Sequence, residues 1–370
     1  MERCGTRGLI GAVLIAAAGL VGPALGEDEV VVKGKPLSTW IKQLTGANRG
    51  LQVRASRALG EAPEELRPKI VPAMIKVLGS DRENDRFVAA QTLGEYGSVA
   101  RAAVPALMPL LEGTQYERNR AAAAKALGQI LKDAKPSEEV AGVVKVLISK
   151  MKDKYADVRR ESAYACGMIG PEAKGFLVNV PPLLKEHNPG FALYEGYGVR
   201  CAAAWAVGRM GIHAKGQIDL LIAMMHADAH VNPNLMWAIG QIGPVHENVI
   251  PNIMDKIESA GRAGDYAGMK VAAFEALARF GEKSADVVPL ARRLLKDRTY
   301  PMQPPLRAAV MKMMAAIGPK AKEAVPEIEA DIKLGASKPK DAAHNALHEE
   351  AVKAYKAVTG KEPPGSPAAK

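Results

Sequence analysis

Cysteine is nearly missing from this chain, with three in 370 residues, at positions 4, 166 and 201. That excludes a disulfide framework, which needs many paired cysteines in a short exported chain. Packing alone must hold the fold, and Cys166 and Cys201 are expected to stay unbridged. Aromatic residues amount to only 5%. Alanine therefore fills much of the 48% hydrophobic fraction, which favours closely packed helices. Catalytic signatures are missing as well. There is no P-loop, nucleophile elbow, HExxH or CxxC, so the sequence points away from an enzyme.

Long apolar runs are confined to the first residues. Arg3 and Arg7 precede an uncharged stretch from Gly8 to Leu25, then "ALG" (Ala24 to Gly26) and the acidic "EDE". A basic start, an apolar middle and a small-residue cleavage site make residues 1–26 a secretory signal peptide. The stretch also reaches the lower length limit of a spanning helix. An uncleaved anchor is thus the alternative, and membrane contact is expected only in that case. No cysteine follows that would carry a lipid. Cleavage after Gly26 lowers the formal net charge from +10 to +9. A basic chain suits an acidic protein, an acidic glycan or an anionic envelope surface.

What is present is a repeat. "ALGEAP", "TLGEYG", "ALGQIL", "ACGMIG", "AVGRMG", "AIGQIG", "ALARFG" and "MMAAIG" align on Gly60, Gly94, Gly128, Gly167, Gly208, Gly240, Ala278 and Ala315. These anchors recur every 32 to 41 residues, the length of a helix pair. An alanine-rich first helix ends at a glycine three residues past most anchors: Gly97, Gly170, Gly211, Gly243, Gly281 and Gly318. Such a glycine takes the left-handed C-terminal conformation. Pro72, Pro105, Pro181, Pro251, Pro289 and Pro326 open second helices, where the missing N–H costs nothing. A pair this short cannot bury its apolar face alone, but stacked pairs can. The expected fold is all-α, an α-solenoid of about eight helix pairs with capping helices.

"DVRRESAYACGMIGPEA" and "LRAAVMKMMAAIGPKAKEAVPEI" resemble HEAT repeats, particularly the short bacterial variety also found in phycobilin lyases. The resemblance runs from about Leu51 to Leu334. It implies a superhelical solenoid of the kind used by scaffolds, adaptors and a few enzymes. The expected organisation is a signal peptide (1–26), a linker and N-terminal capping helix (27–50), the repeats (51–334), a closing helix (335–360) and a disordered tail (361–370).

Three charged patterns compete for a role. Arg86, Arg120, Arg159, Arg200, Lys270 and Arg307 lie eight positions before their anchors. They either track phosphates or pack between repeats and meet nearby acids, such as Asp157 beside Arg159. The HEAT resemblance implies a structural Arg–Asp ladder, and export separates the chain from nucleic acid. The pairs His246-Glu247 and His348-Glu349 share no register. His344 with His348, and His226 with Asp228 and His230, are incomplete ligand sets. No metal or other cofactor is expected.

One row of residues breaks the pattern. At 100° per residue, the positions five, four and one before the anchor and two after it form the core face, as with Ala203, Ala204, Val207 and Met210. The position three before the anchor points the other way. Its occupants are Arg57, Gln91, Lys125, Tyr164, Trp205, Trp237, Glu275 and Lys312. Three central copies thus place aromatics on a solvated face. Either the inserted "EHNPGFALYEGYG" (residues 186–198) covers them, or they bind a partner. On the binding reading the rings repeat at about 10 Å, the helix packing distance, with Phe191, Tyr194 and Tyr197 nearby. Tyr155, Tyr266 and Tyr300 fall on the same edge.

The sequence thus leads to an exported, non-catalytic scaffold or adaptor that binds a protein at the cell envelope. The alternatives are a carbohydrate-binding solenoid and a metal- or tetrapyrrole-dependent enzyme of the bilin-lyase type.

Overall fold

A computed structural model describes residues 29–113, 116–186, 193–227, 232–260, 267–297, 302–337 and 341–364. The array opens with a feature the sequence reading lacked. Val31–Val32 (β1) pairs antiparallel with Lys35–Pro36 (β2), and Lys33 and Gly34 turn between them at φ 47° and 76°. Two successive residues at positive φ are what a tight hairpin demands. Trp40, on α1 (Leu37–Leu44), donates its indole N–H to Val32 O at 2.7 Å and ties the hairpin to the first helix.

Eight helix pairs follow. Their first helices are α2 (Arg49–Gly60), α4 (Glu83–Glu95), α6 (Glu117–Ile130), α8 (Ala156–Ile169), α10 (Leu193–Arg209), α12 (Asn232–Ile242), α14 (Ala267–Phe280) and α16 (Pro304–Ile317). Their second helices are α3 (Arg67–Leu78), α5 (Val104–Glu112), α7 (Glu138–Lys150), α9 (Val180–Leu184), α11 (Ile218–Ala227), α13 (Val249–Ser259), α15 (Val288–Lys296) and α17 (Val325–Ala336). A last helix, α18 (Ala342–Thr359), packs on both α16 and α17. Asp341 accepts from the His344 N–H at its start, and Gly360 ends it at φ 71°. The fold is an all-α solenoid.

All six glycines three past the anchor take positive φ, from 53° to 96°. Gly170 and Gly318 go further, with ψ of −148° and −141°. Each precedes a proline, which pushes the preceding residue out of helical ψ, and only glycine tolerates the result. The chain then enters a 3-10 turn, as at residues 97–103, 211–217 and 318–324, before the second helix begins. Proline is the second residue of α5, α9, α15 and α17. Pro72 departs from this. The first copy makes only a short 3-10 turn (Glu64–Leu66), so α3 begins at Arg67 and Pro72 falls inside it.

The anchor glycines set the spacing. A Cβ at Gly128 would lie 2.6 Å from Ala165 Cα, and at Gly167, Gly208 or Gly240 it would lie 2.9 Å from Ala206, Ala238 or Ala276 Cα. Each of these anchors thus sits close to the alanine two before the next anchor, and the helices approach nearer than a side chain at the anchor would allow. From α4 onward neighbouring first helices pack along their length, while neighbouring second helices touch at few places. Replacing Gly128 by alanine should lower stability by about 1–3 kcal/mol, the usual cost of overpacking, despite alanine's better helix propensity. Gly142, exposed in α7 with nothing within 4 Å of its Cβ position, should show the opposite sign, gaining about 0.5–1 kcal/mol as alanine. Thermal melting of the two variants distinguishes a close-approach glycine from a merely tolerated one.

Candidate functional site

Four members of the basic ladder, Arg86, Arg120, Arg159 and Arg307, make structural contacts. Arg120 is buried and the Asp153 side chain nearly so, and they pair through Nε and Oδ2 at 2.9 Å, with a second bond of 3.2 Å from Nη2 to Oδ1. Burial opposes ionisation of Asp153, but Arg120 and the Tyr155 N–H overcome it and hold the carboxyl below its usual range. Arg307 reaches the fully buried Asp331 at 2.6 Å and also donates to Leu295 O. Arg86 donates to Ser80 O, and Arg159 to Asp153 O, each at 2.6 Å. The carbonyl bonds of Arg86, Arg159 and Arg307 fasten the end of one second helix to the next pair, while the carboxylate bonds of Arg120 and Arg307 tie each first helix to the second-helix side of its own pair. The sequence pairing of Arg159 with Asp157 is corrected: Arg159 pairs with Glu186, and Asp157 with Arg160. Residues two apart on a helix do not face each other, whereas residues three apart do.

The histidines have local partners. His344 Nδ1 lies 3.0 Å from Asp341, His348 Nδ1 lies 3.0 Å from Ile332 O, and His246 Nε2 lies 3.0 Å from Asp219. The first two therefore do not converge on one point. His226 stands 3.8 Å from Asp255, while Asp228 and His230 lie outside the described residues.

The polar residues of the row three before the anchor are exposed throughout. In its centre the three aromatics form a continuous stack. Tyr164 and Trp205 have ring centroids 4.5 Å apart at an interplanar angle of 25°, and Trp205 and Trp237 lie 6.4 Å apart at 10°. The separation is far below the helix packing distance of about 10 Å. Glycine explains the difference. A Cβ at Gly167 would meet Trp205 Cζ3 at 2.5 Å, and one at Gly208 would meet Trp237 Cζ3 at 2.3 Å. Each tryptophan leans over the glycine of the preceding helix and so approaches the ring before it. Tyr164 ends the stack, 37% exposed, while Trp205 and Trp237 are half-buried.

Stacking decides what the rings present. Both faces of Trp205 are covered, so the stack offers mainly edges to solvent. A sugar packs on a ring face, and both faces of the central ring, Trp205, already meet a neighbouring aromatic. Beside the stack, Arg209 donates to Gly167 O at 3.1 Å, pairs with Asp133, and holds its guanidinium 5.9 Å from the Trp205 ring. A cavity of about 330 Å³ adjoins Trp237, with Arg209, Gln241, His213 and the exposed Ile212 in its wall. Sequence reasoning missed Arg209 and Gln241. Both lie one past the anchor, a row whose regularity was there to read.

The insertion is shorter than it looks. α10 begins at Leu193, so residues 193–198 are helix, and Glu186 is engaged by Arg159. Phe191 lies outside the described residues, as do Tyr266, Tyr300 and the side chains of Tyr194 and Tyr197. Tyr155 is exposed, with Arg120 5.6 Å and Lys154 4.8 Å from its ring. Cys166 is buried, which pushes its thiol pKa up, and no bridge joins it to Cys201.

Residues 37–128 match the HEAT repeats family. No curated protein matches the chain. Among solved structures it resembles yeast importin-β, with 12% identity and a TM-score of 0.65 over 87% of this chain and 46% of that one. The fold is a HEAT-like solenoid. An engineered protein gives 21% identity and a TM-score of 0.53, covering 86% of this solenoid and 87% of its own length. A crystal structure of importin-β from an ammonium sulfate condition gives 15% and 0.60, over 87% and 47%. The solenoid spans about half the length of the importins. These identities speak for the fold.

Proposed function

We propose that this solenoid is an exported, non-catalytic scaffold that binds a protein through its first-helix face, with Tyr164, Trp205 and Trp237 at the centre. The stack carries the reading. Three adjoining aromatic rings lie on a face whose other copies carry polar side chains, and they are fixed by glycine seats rather than left mobile. Rigid aromatic edges flanked by an arginine are the residue types that dominate protein interfaces. HEAT-like solenoids are typical interaction scaffolds, and yeast importin-β has been solved in complex with Nup1. The edge-on geometry favours a protein over a glycan. The non-catalytic part rests on the sequence, which holds no catalytic motif.

A photo-cross-linking amino acid at position 164, in the native host, should give a discrete protein adduct. Adducts with glycan alone, or none at all, would refute protein binding through the stack. Export has its own test. N-terminal sequencing of the native protein should begin near Glu27, and an intact Met1 in a cytoplasmic fraction is the contrary result.

A further inference from the structure

From α4 to α14, each seam between first helices is closed by an anchor glycine on the next helix's alanine. The seam between α2 and α4 is different. In α4 the position two before the anchor is the β-branched Thr92, not alanine, and Gly60 faces the Glu95 carboxylate instead of backbone. α2 stands off, with few contacts to α4, and leaves a slot of about 570 Å³ on the first-helix face. A volume of this order accommodates several side chains or a small ligand.

Its walls carry two kinds of group. Val53, 55% exposed, and the half-buried Phe87 are apolar. Arg49, Arg57 and Arg118 supply three guanidinium groups. Arg118 lies over the Phe87 ring at 3.7 Å, which fixes it beside the slot. None of the three guanidinium groups makes a hydrogen bond or ion pair among the described residues. Of the two carboxylates in the wall, Glu61 is paired with Lys33 and also feels the charge of Arg57, and Glu95 is the other, so three cations still outnumber the acids. Two of the three wall amides are committed, since Gln52 donates to Gly46 O at 2.7 Å and accepts from Asn84 at 3.3 Å, while Gln91 is exposed.

We propose that this slot docks an acidic segment of a protein partner, with an apolar side chain between Val53 and Phe87 and flanking carboxylates on the arginines. Guanidinium forks match carboxylates in geometry as well as charge. The apolar walls favour a peptide over a sulfated or phosphorylated polymer, which has nothing to set against them. The inference extends the scaffold reading but uses residues of the first three pairs, none of them in the aromatic stack, so either can fail alone.

The test is fluorescence anisotropy of purified protein with labelled (Glu-Glu-Leu)4, (Gln-Gln-Leu)4 and (Glu)12 peptides. The first should bind at least tenfold more tightly than the other two. Arg57→Gln with Arg118→Gln should weaken it at least tenfold at unchanged helical circular dichroism, since both side chains line an open slot. Tyr164→Ser should leave it unchanged. A spin label at Val53→Cys should lose mobility when the peptide is added. No binding, or full binding by the arginine double variant, overturns the proposal. So does loss on Tyr164→Ser, or (Glu)12 or a heparin hexasaccharide binding as tightly as (Glu-Glu-Leu)4.

Discussion

Asp153→Ala should destabilise the solenoid by about 3–5 kcal/mol, the cost of leaving one member of a buried ion pair alone. Arg120 and Asp153 are 3% and 9% exposed, so water cannot replace the lost partner. The effect should be strongest at the junction of the third and fourth pairs, where hydrogen exchange of α6 and α8 would show it. Replacing both residues by apolar ones of similar volume should recover most of the loss, because the pair's desolvation cost then disappears too. The pH dependence has a definite sign. Asp153 has a folded-state pKa below its ordinary value of about 3.9. Its contribution is therefore complete above that value and fades as pH falls through the folded pKa. Asp331 runs the other way, since burial raises its pKa despite Arg307. Its contribution is present in acid and fades as pH rises through that raised pKa. Asp153→Ala should thus show a smaller acid-induced drop in melting temperature than the parent chain. An equal drop, or an Asp153→Ala cost below 1 kcal/mol, would mean that the pair is solvated.

Most of the array was legible because its signals are local. Anchor spacing, the glycine three residues later and the following proline each act within one turn, and together they place sixteen helices. The parts that were not legible depend on neighbours. Alanine two before the anchor looks like ordinary helix filling until Gly128 is found on Ala165. Asp157 is close to Arg159 in sequence, yet the partner is Glu186, 27 residues on. The 3-10 turns carry no apolar period of their own. The hairpin at residues 31–36 is too short for strand alternation to register. For the aromatic row, helical geometry gave the correct face. Where a ring lies on that face was decided by the preceding helix, whose glycine lets it lean.

That lean changes how the stack should be tested. Trp205 is covered on both faces and seated against Gly167, so Trp205→Ala removes packing as well as any contact with a partner. Truncating a buried aromatic costs about 3–5 kcal/mol, and a half-buried one in a seam should cost about half of that. A loss of thermal stability in this variant therefore follows from the stack itself and needs no covering loop. Tyr164 is the informative position. It has one covered face and one outer face, is 37% exposed, and lies at the end of the stack. Tyr164→Ser should leave the melting temperature within 2–3 °C, as expected for a change of under about 1 kcal/mol. It should weaken affinity for the protein captured at position 164 by more than tenfold, the scale of an interface hot spot. Lys312→Ser, in the same row four copies further along the array, should change neither. If Tyr164→Ser and Lys312→Ser bind that protein equally well, the stack serves only to hold α8, α10 and α12 together.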